Sequence, residues 1–452
     1  ADDAERINSL LELLNKNKIK YGFSRAGSVR GFNYDSGKDE TVNVNSSDII
    51  IPSVQPKSAL VKVLFEPKAV LVDSVTYDIT AWSLPYVYGV KTIATSQRID
   101  VLPYETHKTA SLPTTENTYG YIIRWSGMQS VKLVSQLLQK GIKLRFNESP
   151  FEENGQQFDR GAIIVLKTSN QYIPELWSTV RQLASENNIA LTPVSSGFVD
   201  KGYDFGSSRI RPVKARRVAI ITGEGVSSTA AGEAWYFFDQ LIQYPATLVN
   251  SSDLPRMNWS NYDVVILPDG NYRYLNDKSN VDQLKIWIGS GGHIIALEGA
   301  VNQLSKLDFG LKSKKADDSA SKNVYESLRK YDTRDRDAIP NTTPGSIYKV
   351  KLDNSHPLAF GYPEYYYTLK QDDNIYEFLK EGGWNIGVLK KDRQVSGFVG
   401  SRLQNKLQDG LLFGVQELGR GTITYLADDV LFRSFWENGK LMFANALFLV
   451  GE

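Results

Sequence analysis

Gly291-Gly292-His293-Ile294-Ile295-Ala296-Leu297-Glu298-Gly299-Ala300 is the stretch that decides the fold. An apolar run after a glycine pair, closed by a further glycine and a small residue, reads as a buried strand passing through a tight turn into a helix. In α/β folds that join is where a nucleophile is usually held on an elbow. Leu297 takes the elbow position in this reading, and the chain contains no cysteine. The scaffold of a catalytic domain is expected without its reactive atom. That combination points to binding or scaffolding, with any chemistry supplied elsewhere.

The pattern continues on both sides of the elbow. Strands are expected at 217–222, 246–249 and 262–267, with helices at 230–241 and 281–288 between them. Strands alternating with helices specify a parallel sheet covered on both faces. Further on the chain becomes β-rich, with strands near Tyr348, Tyr366, Gly387, Phe398 and Leu412, a last strand at 421–427 and a final helix at 438–448. The segment 312–341, dense in Lys, Asp, Arg and Ser, reads as an exposed, mobile insertion.

Upstream, one grammar occurs twice. A helix around Ile7–Leu14, a strand at 18–23, a polar hairpin to Asn45 and a strand at 48–52 form the first copy. A helix at 131–138, a strand at 141–146, a hairpin through Gly155 and a strand at 162–166 form the second. The second copy is preceded by a strand at 119–125 and the first is not, so the first unit is expected to continue upstream of Ala1. An aromatic segment, 75–90, lies between the copies and is expected to pack as a helix against both. A helix at 174–187 and a strand at 189–192 follow the second copy, and the glycine- and arginine-rich 197–212 marks a boundary. The expected division is 1–115, 116–212 and 213–452: tandem small α/β units, then a doubly wound, flavodoxin-like domain with β-rich additions.

Composition narrows the function. A length of 452 residues suits two or three domains, and 41% hydrophobic with 11% aromatic residues suffices for packed cores. A formal net charge of +1 supplies no field to attract nucleic acid or an acidic membrane surface. The lack of cysteine excludes thiol catalysis, thiolate metal sites and disulfides, and fits an exported protein. No apolar run is long enough for a transmembrane helix, and Ala1-Asp2-Asp3 does not open a signal peptide, so such a leader is absent or already removed.

Four loops are expected at the carboxyl edge of the parallel sheet, where open α/β sheets bind ligands. They are Gly223-Glu224-Gly225, Pro268-Asp269-Gly270, Glu298-Gly299-Ala300 and Asp428-Asp429. Glycines at 223 and 225 would let backbone N–H groups face an anion, but the third glycine of the dinucleotide spacing is missing and Glu224 repels phosphate. A tight packing turn is the plainer reading. Glu224, Asp269, Glu298 and Asp428 are expected to converge on an acidic cleft for a hard cation or a cationic peptide group. The alternative for each carboxylate is a helix-capping role. The three histidines, His107, His293 and His356, show no zinc-ligand spacing, and no G-x-S-x-G occurs. No catalytic residue and no metal ligand is assigned.

Four phrases taken together carry a family resemblance: 54–67 (VQPKSALVKVLFEP), 73–85 (DSVTYDITAWSLP), Gly223–Ser228 with Gly232-Glu233-Ala234-Trp235, and 427–436 (ADDVLFRSFW). As a set they resemble the C-terminal region of Bacteroidetes-type zinc carboxypeptidase-like proteins, which ends in a class I glutamine amidotransferase-like domain. The resemblance implies an upstream metallocarboxypeptidase domain as partner, with zinc bound there and no cofactor in this chain. Glu233, within one of these phrases, and Asp429, in the carboxyl-edge Asp428-Asp429 loop, join the expected ligand-binding residues. The resemblance also implies an exported protein, periplasmic or at the outer surface, acting as a non-catalytic accessory region that scaffolds the peptidase or binds peptide or cell-wall substrate. The competing expectation is a self-standing hydrolase, or a peptide- or glycan-binding protein, using the acidic cleft.

Overall fold

The computed structural model describes residues 4–69, 71, 76, 78–104, 118–314 and 330–451. Helix α1 (Ala4–Lys16) buries Leu10, Leu11 and Leu14 on one face. After it come β1 (Gly22–Phe23), the hairpin β2 (Gly27–Asn33) and β3 (Lys38–Val44), β4 (Ile49–Ile50), α2 (Ser58–Phe65), α3 (Leu84–Tyr88) and β5 (Ile93–Ala94). The strand expected at 18–23 shrinks to two residues because Lys18 is still part of the helix end. Its backbone is left-handed, and Ile19 N–H reaches back to Leu14 O. The aromatic segment is helical over only five residues, between Pro85 in the first turn and a left-handed Gly89. It packs on the first unit and the C-terminal domain: the Tyr86 ring lies 5.3 Å from Tyr34 and 4.7 Å from Tyr367.

The second unit runs β6 (Gly120–Ile123), α4 (Met128–Gln139), β7 (Leu144–Asn147), the hairpin β8 (Phe151–Glu153) and β9 (Gln156–Phe158), β10 (Ile163–Leu166), α5 (Leu176–Glu186), β11 (Thr192–Val194) and β12 (Ile210–Val213). Its sheet order is β11-β6-β10-β7-β12. Without the hairpin and β12 this is a split βαβ arrangement of β-α-β-β-α-β form. The repeated grammar is present in three dimensions, since β1 pairs antiparallel with β4 as β7 does with β10. The strand expected at 189–192 begins three residues later. Left-handed Asn188, and Ile189 N–H bonded to Ala184 O, belong to the end of α5.

The C-terminal part contains β13 (Val218–Thr222), α6 (Ser228–Tyr236), β14 (Ala246–Asn250), β15 (Val264–Leu267), α7 (Lys278–Gly289), β16 (His293–Leu297) and α8 (Gly299–Leu304). Then follow α9 (Arg334–Ala338), β17 (Ser346–Leu352), β18 (Tyr365–Lys370), β19 (Gly383–Leu389), β20 (Gln394–Ser396), α10 (Ser401–Lys406), β21 (Gly410–Leu418), β22 (Gly421–Leu426) and α11 (Glu437–Phe448). Parallel strands lie in the order β14-β13-β15-β16-β22, the 2-1-3-4-5 order of flavodoxin-like doubly wound sheets. β21, β19, β17 and β18 extend the sheet antiparallel from β22. The strand expected near Phe398 ends at Ser396, and half of the 312–341 insertion, 315–329, lies outside the described residues. Where 312–341 is described, Lys314 N–H and Lys312 O bond to Ile375 O and Glu377 N–H, and 331–341 forms short helical turns.

Helix α11 fastens the parts together. Asn438 through Phe448 are all buried, as a helix covered on every side requires. Asn445 accepts from Trp125 Nε1 at 2.6 Å and donates to the carbonyls of Leu358 and Phe360. From the first unit, Glu5 accepts from the Gln129 and Ser130 N–H groups at the start of α4, and Arg6 donates to the carbonyls of Gly89 and Gly361. One contiguous apolar core therefore joins all three parts. No described helix is long and apolar enough to cross a membrane.

Candidate functional site at the carboxyl edge

Strand β16 ends at Leu297, whose side chain is buried in the core. The next residue, Glu298, has φ 45° and ψ −111°, a backbone conformation rarely adopted by a residue with a Cβ. Helix α8 starts immediately after it. The strained elbow position is therefore Glu298, one residue beyond the Leu297 that the apolar pattern suggests. The correction changes the side chain on the elbow from an alkyl group to a carboxyl, and the position still offers no thiol or hydroxyl nucleophile.

In such elbows the N–H of the following residue belongs to the oxyanion hole. Here the Gly299 N–H donates to Asp269 Oδ1 at 3.0 Å. The group that would stabilise a developing oxyanion is taken by the chain's own carboxylate, which would also repel negative charge. A thiol or hydroxyl nucleophile and a free oxyanion donor, both used in acyl transfer at such elbows, are thus missing at this one join.

Carboxyl groups gather around Glu298. Burial, then the charges of Asp269, Asp372, Asp428 and Glu233, push its acid form up to about pH 8. Asp429 is held well above the carboxylate range by burial and by the charges of Glu298 and Glu233, and it is hydrogen-bonded to Glu233. Burial raises Glu233 as well, against the Arg433 N–H it accepts at 2.6 Å. Adjacent buried carboxyls of this kind ionise as a set and retain protons among them. Asp429 also accepts the Leu431 N–H at 2.8 Å, which fixes its orientation.

Asp428 is part of a different network. Its two oxygens accept from Lys370 Nζ at 2.8 Å and from Thr368 Oγ1 at 2.7 Å. Lys370 is wholly buried and also pairs with Asp372. Burial opposes its charge, but the two carboxylates outweigh burial and keep it protonated. Asp372 is partly exposed and lines a depression of about 470 Å³ with Thr76, Asn341, Thr343 and Gln371. Lys370 and Asp372 escaped the sequence reading. Asp372 follows Lys370 by only two residues, but nothing local shows that Asp428, far along the chain, meets the same ammonium.

The remaining expected residues sort clearly. Glu233, Asp269, Glu298, Asp428 and Asp429 come together, whereas Glu224 points away and pairs with Arg273 at 2.9 Å on the surface. Gly223 and Gly225 build a packing turn: Gly225 O accepts from Asn271 N–H at 2.7 Å, and a Cβ at 225 would lie 2.4 Å from Asn271 O. That turn closes on the Asp269 loop, where Ser227 N–H donates to Asp269 O at 2.8 Å. Buried His293 bonds Thr424, and His356 Nδ1 accepts from Leu358 N–H as a cap. His107 lies outside the described residues. Among the described residues, no three His, Asp or Glu side chains are placed to share a metal ion.

No protein-family model and no curated protein matches the chain. Solved structures do align with it. A ThuA-like protein from Bacteroides uniformis ATCC 8492 aligns at 13% identity and TM-score 0.35, covering 54% of this chain and 94% of that one. A GMP synthase protein from Thermoplasma acidophilum aligns at 11% and 0.32, covering 51% and 92%. A glutamine amidotransferase from Thermotoga maritima aligns at 8% and 0.30, covering 48% and 76%. The strand order itself defines the C-terminal part as a flavodoxin-like, doubly wound domain.

Proposed function

We propose that this chain is a non-catalytic accessory region of an exported zinc carboxypeptidase-like protein, in which the amidotransferase-like domain scaffolds the peptidase or holds its substrate. The observation that carries the non-catalytic reading is the elbow itself: Glu298 on the strained turn, and the Gly299 N–H capped by Asp269. The peptidase parent rests on the four sequence phrases quoted above, and zinc belongs to that upstream domain. A cluster of protonated and ionised carboxyls at Glu233, Glu298 and Asp429 would receive a cationic group of a peptide substrate.

The test is the size and location of the native polypeptide, by immunoblot of fractionated cells with antibody raised to this chain. The reading expects a band far above 50.7 kDa in the exported fraction. A band near 50.7 kDa, or one confined to the cytosol, refutes it.

A further inference from the structure

A second candidate site lies in the loop 195–207 of the second unit, apart from the acidic edge. The loop is firmly braced. Phe205 is buried edge-on against Phe151, its N–H donates to Gly197 O at 3.0 Å, and Asp204 Oδ1 accepts the Val199 N–H at 3.0 Å. Lys201 bonds the Glu152 carboxylate at 2.8 Å, while Glu152 and Lys201 also exchange backbone hydrogen bonds. On this rigid support Phe198 is 73% exposed and Tyr203 48% exposed. Two aromatic rings held in solvent by an ordered loop forgo burial that would stabilise the fold. They rim an open depression of about 840 Å³ together with Tyr119, Ser195, Asp204 and Ser207.

The lining selects the ligand class. Its one carboxylate, Asp204, already has one oxygen engaged by a backbone N–H, and the other groups are hydroxyls, glycine backbone and ring faces. That surface suits a neutral molecule carrying both hydroxyls and flat C–H faces. An added peptide strand fits less well. Along β11, which precedes the loop at the edge of the sheet, Pro193 has no N–H and its carbonyl accepts from Asn154 Nδ2 at 3.5 Å. Proline on an edge strand blunts it against strand addition.

We infer that the loop 195–207 binds a neutral saccharide, with Phe198 and Tyr203 against pyranose faces and Ser195, Asp204 and Ser207 meeting its hydroxyls. A pyranose presents its axial C–H bonds to the negative face of an aromatic ring, and a loop already in place loses little freedom on binding. This site is independent of Glu298, so its failure would leave the reading of the elbow intact.

The experiment applies the full chain to arrays of neutral oligosaccharides and neutral peptides, then titrates the best-retained oligosaccharide into wild type, Phe198→Ala and Tyr203→Ala by calorimetry. Retention of oligosaccharides is expected, with affinity lost about tenfold or more in each variant and melting temperature unchanged because both side chains are exposed. Three outcomes overturn the inference: no oligosaccharide is retained, affinity survives in either variant, or peptides alone are retained in a Phe198-dependent way.

Discussion

Replacing Glu298 by glutamine should stabilise the protein above neutral pH and leave it unchanged in mild acid. The carboxyl ionises near its ordinary value of 4.5 in the unfolded chain and at about 8 in the folded one. A raised folded value means that folding takes up a proton between those limits. The favourable contribution is complete below pH 4.5 and is lost as pH rises through 8. At about 1.4 kcal/mol per pH unit, the full window caps the loss near 5 kcal/mol. Because the side chain keeps partial exposure to solvent, about 2–3 kcal/mol is the expected share. Glutamine keeps the shape and cannot ionise, so it should recover that share at pH 8.5 and nothing at pH 4.5. For a domain of this size the gain corresponds to about 5 °C or more in melting temperature. Calorimetric scans of wild type and Glu298→Gln at the two pH values measure it directly. Parallel behaviour of the two proteins at both pH values would refute the electrostatic picture of the elbow.

Three further outcomes follow from the same structure. Lys370→Met should destabilise the protein by about 3–5 kcal/mol in denaturant titrations, because it strands Asp428 in the core; a loss below about 1 kcal/mol would mean that the pair is not closed. Asn445→Ala should cost about 2–4 kcal/mol, since it orphans Trp125 Nε1 and two carbonyls, and hydrogen exchange should then rise in α11 and at 358–360 together. Asp269→Ala should lower the pH at which Glu298 ionises, read by difference infrared spectroscopy against Glu298→Gln, because it removes the largest of the neighbouring charges acting on Glu298.

The alternation of apolar strands and amphipathic helices was sufficient to read the doubly wound domain, and periodicity located β13, β15, β16 and α11 to within a few residues. The repeated helix–strand–hairpin–strand order was equally legible, because turn residues and apolar runs recur in both copies. Errors came at helix ends: left-handed Lys18 and Asn188 let the helix terminus take residues that read as strand. Assigning the elbow to Leu297 rather than Glu298 was a similar one-residue error, since apolar patterning cannot show which residue carries the strained φ. At the site, sequence order placed Asp269, Glu298, Asp428 and Asp429 at one sheet edge, a consequence of topology alone. It could not show that Glu224 turns outward to Arg273, or that Lys370 from a strand well upstream neutralises Asp428. Such pairings are set by which distant segments the tertiary fold brings together, which no local pattern encodes.

The most direct test of a fold without its chemistry is to incubate the purified chain with glutamine and with a set of peptides, with and without zinc, and to measure released ammonia and free amino acids. No product above that of a Glu298→Gln control is expected. Product formed by the wild-type chain and lost in Glu298→Gln would contradict the non-catalytic reading and make the carboxyl on the elbow a participant in catalysis.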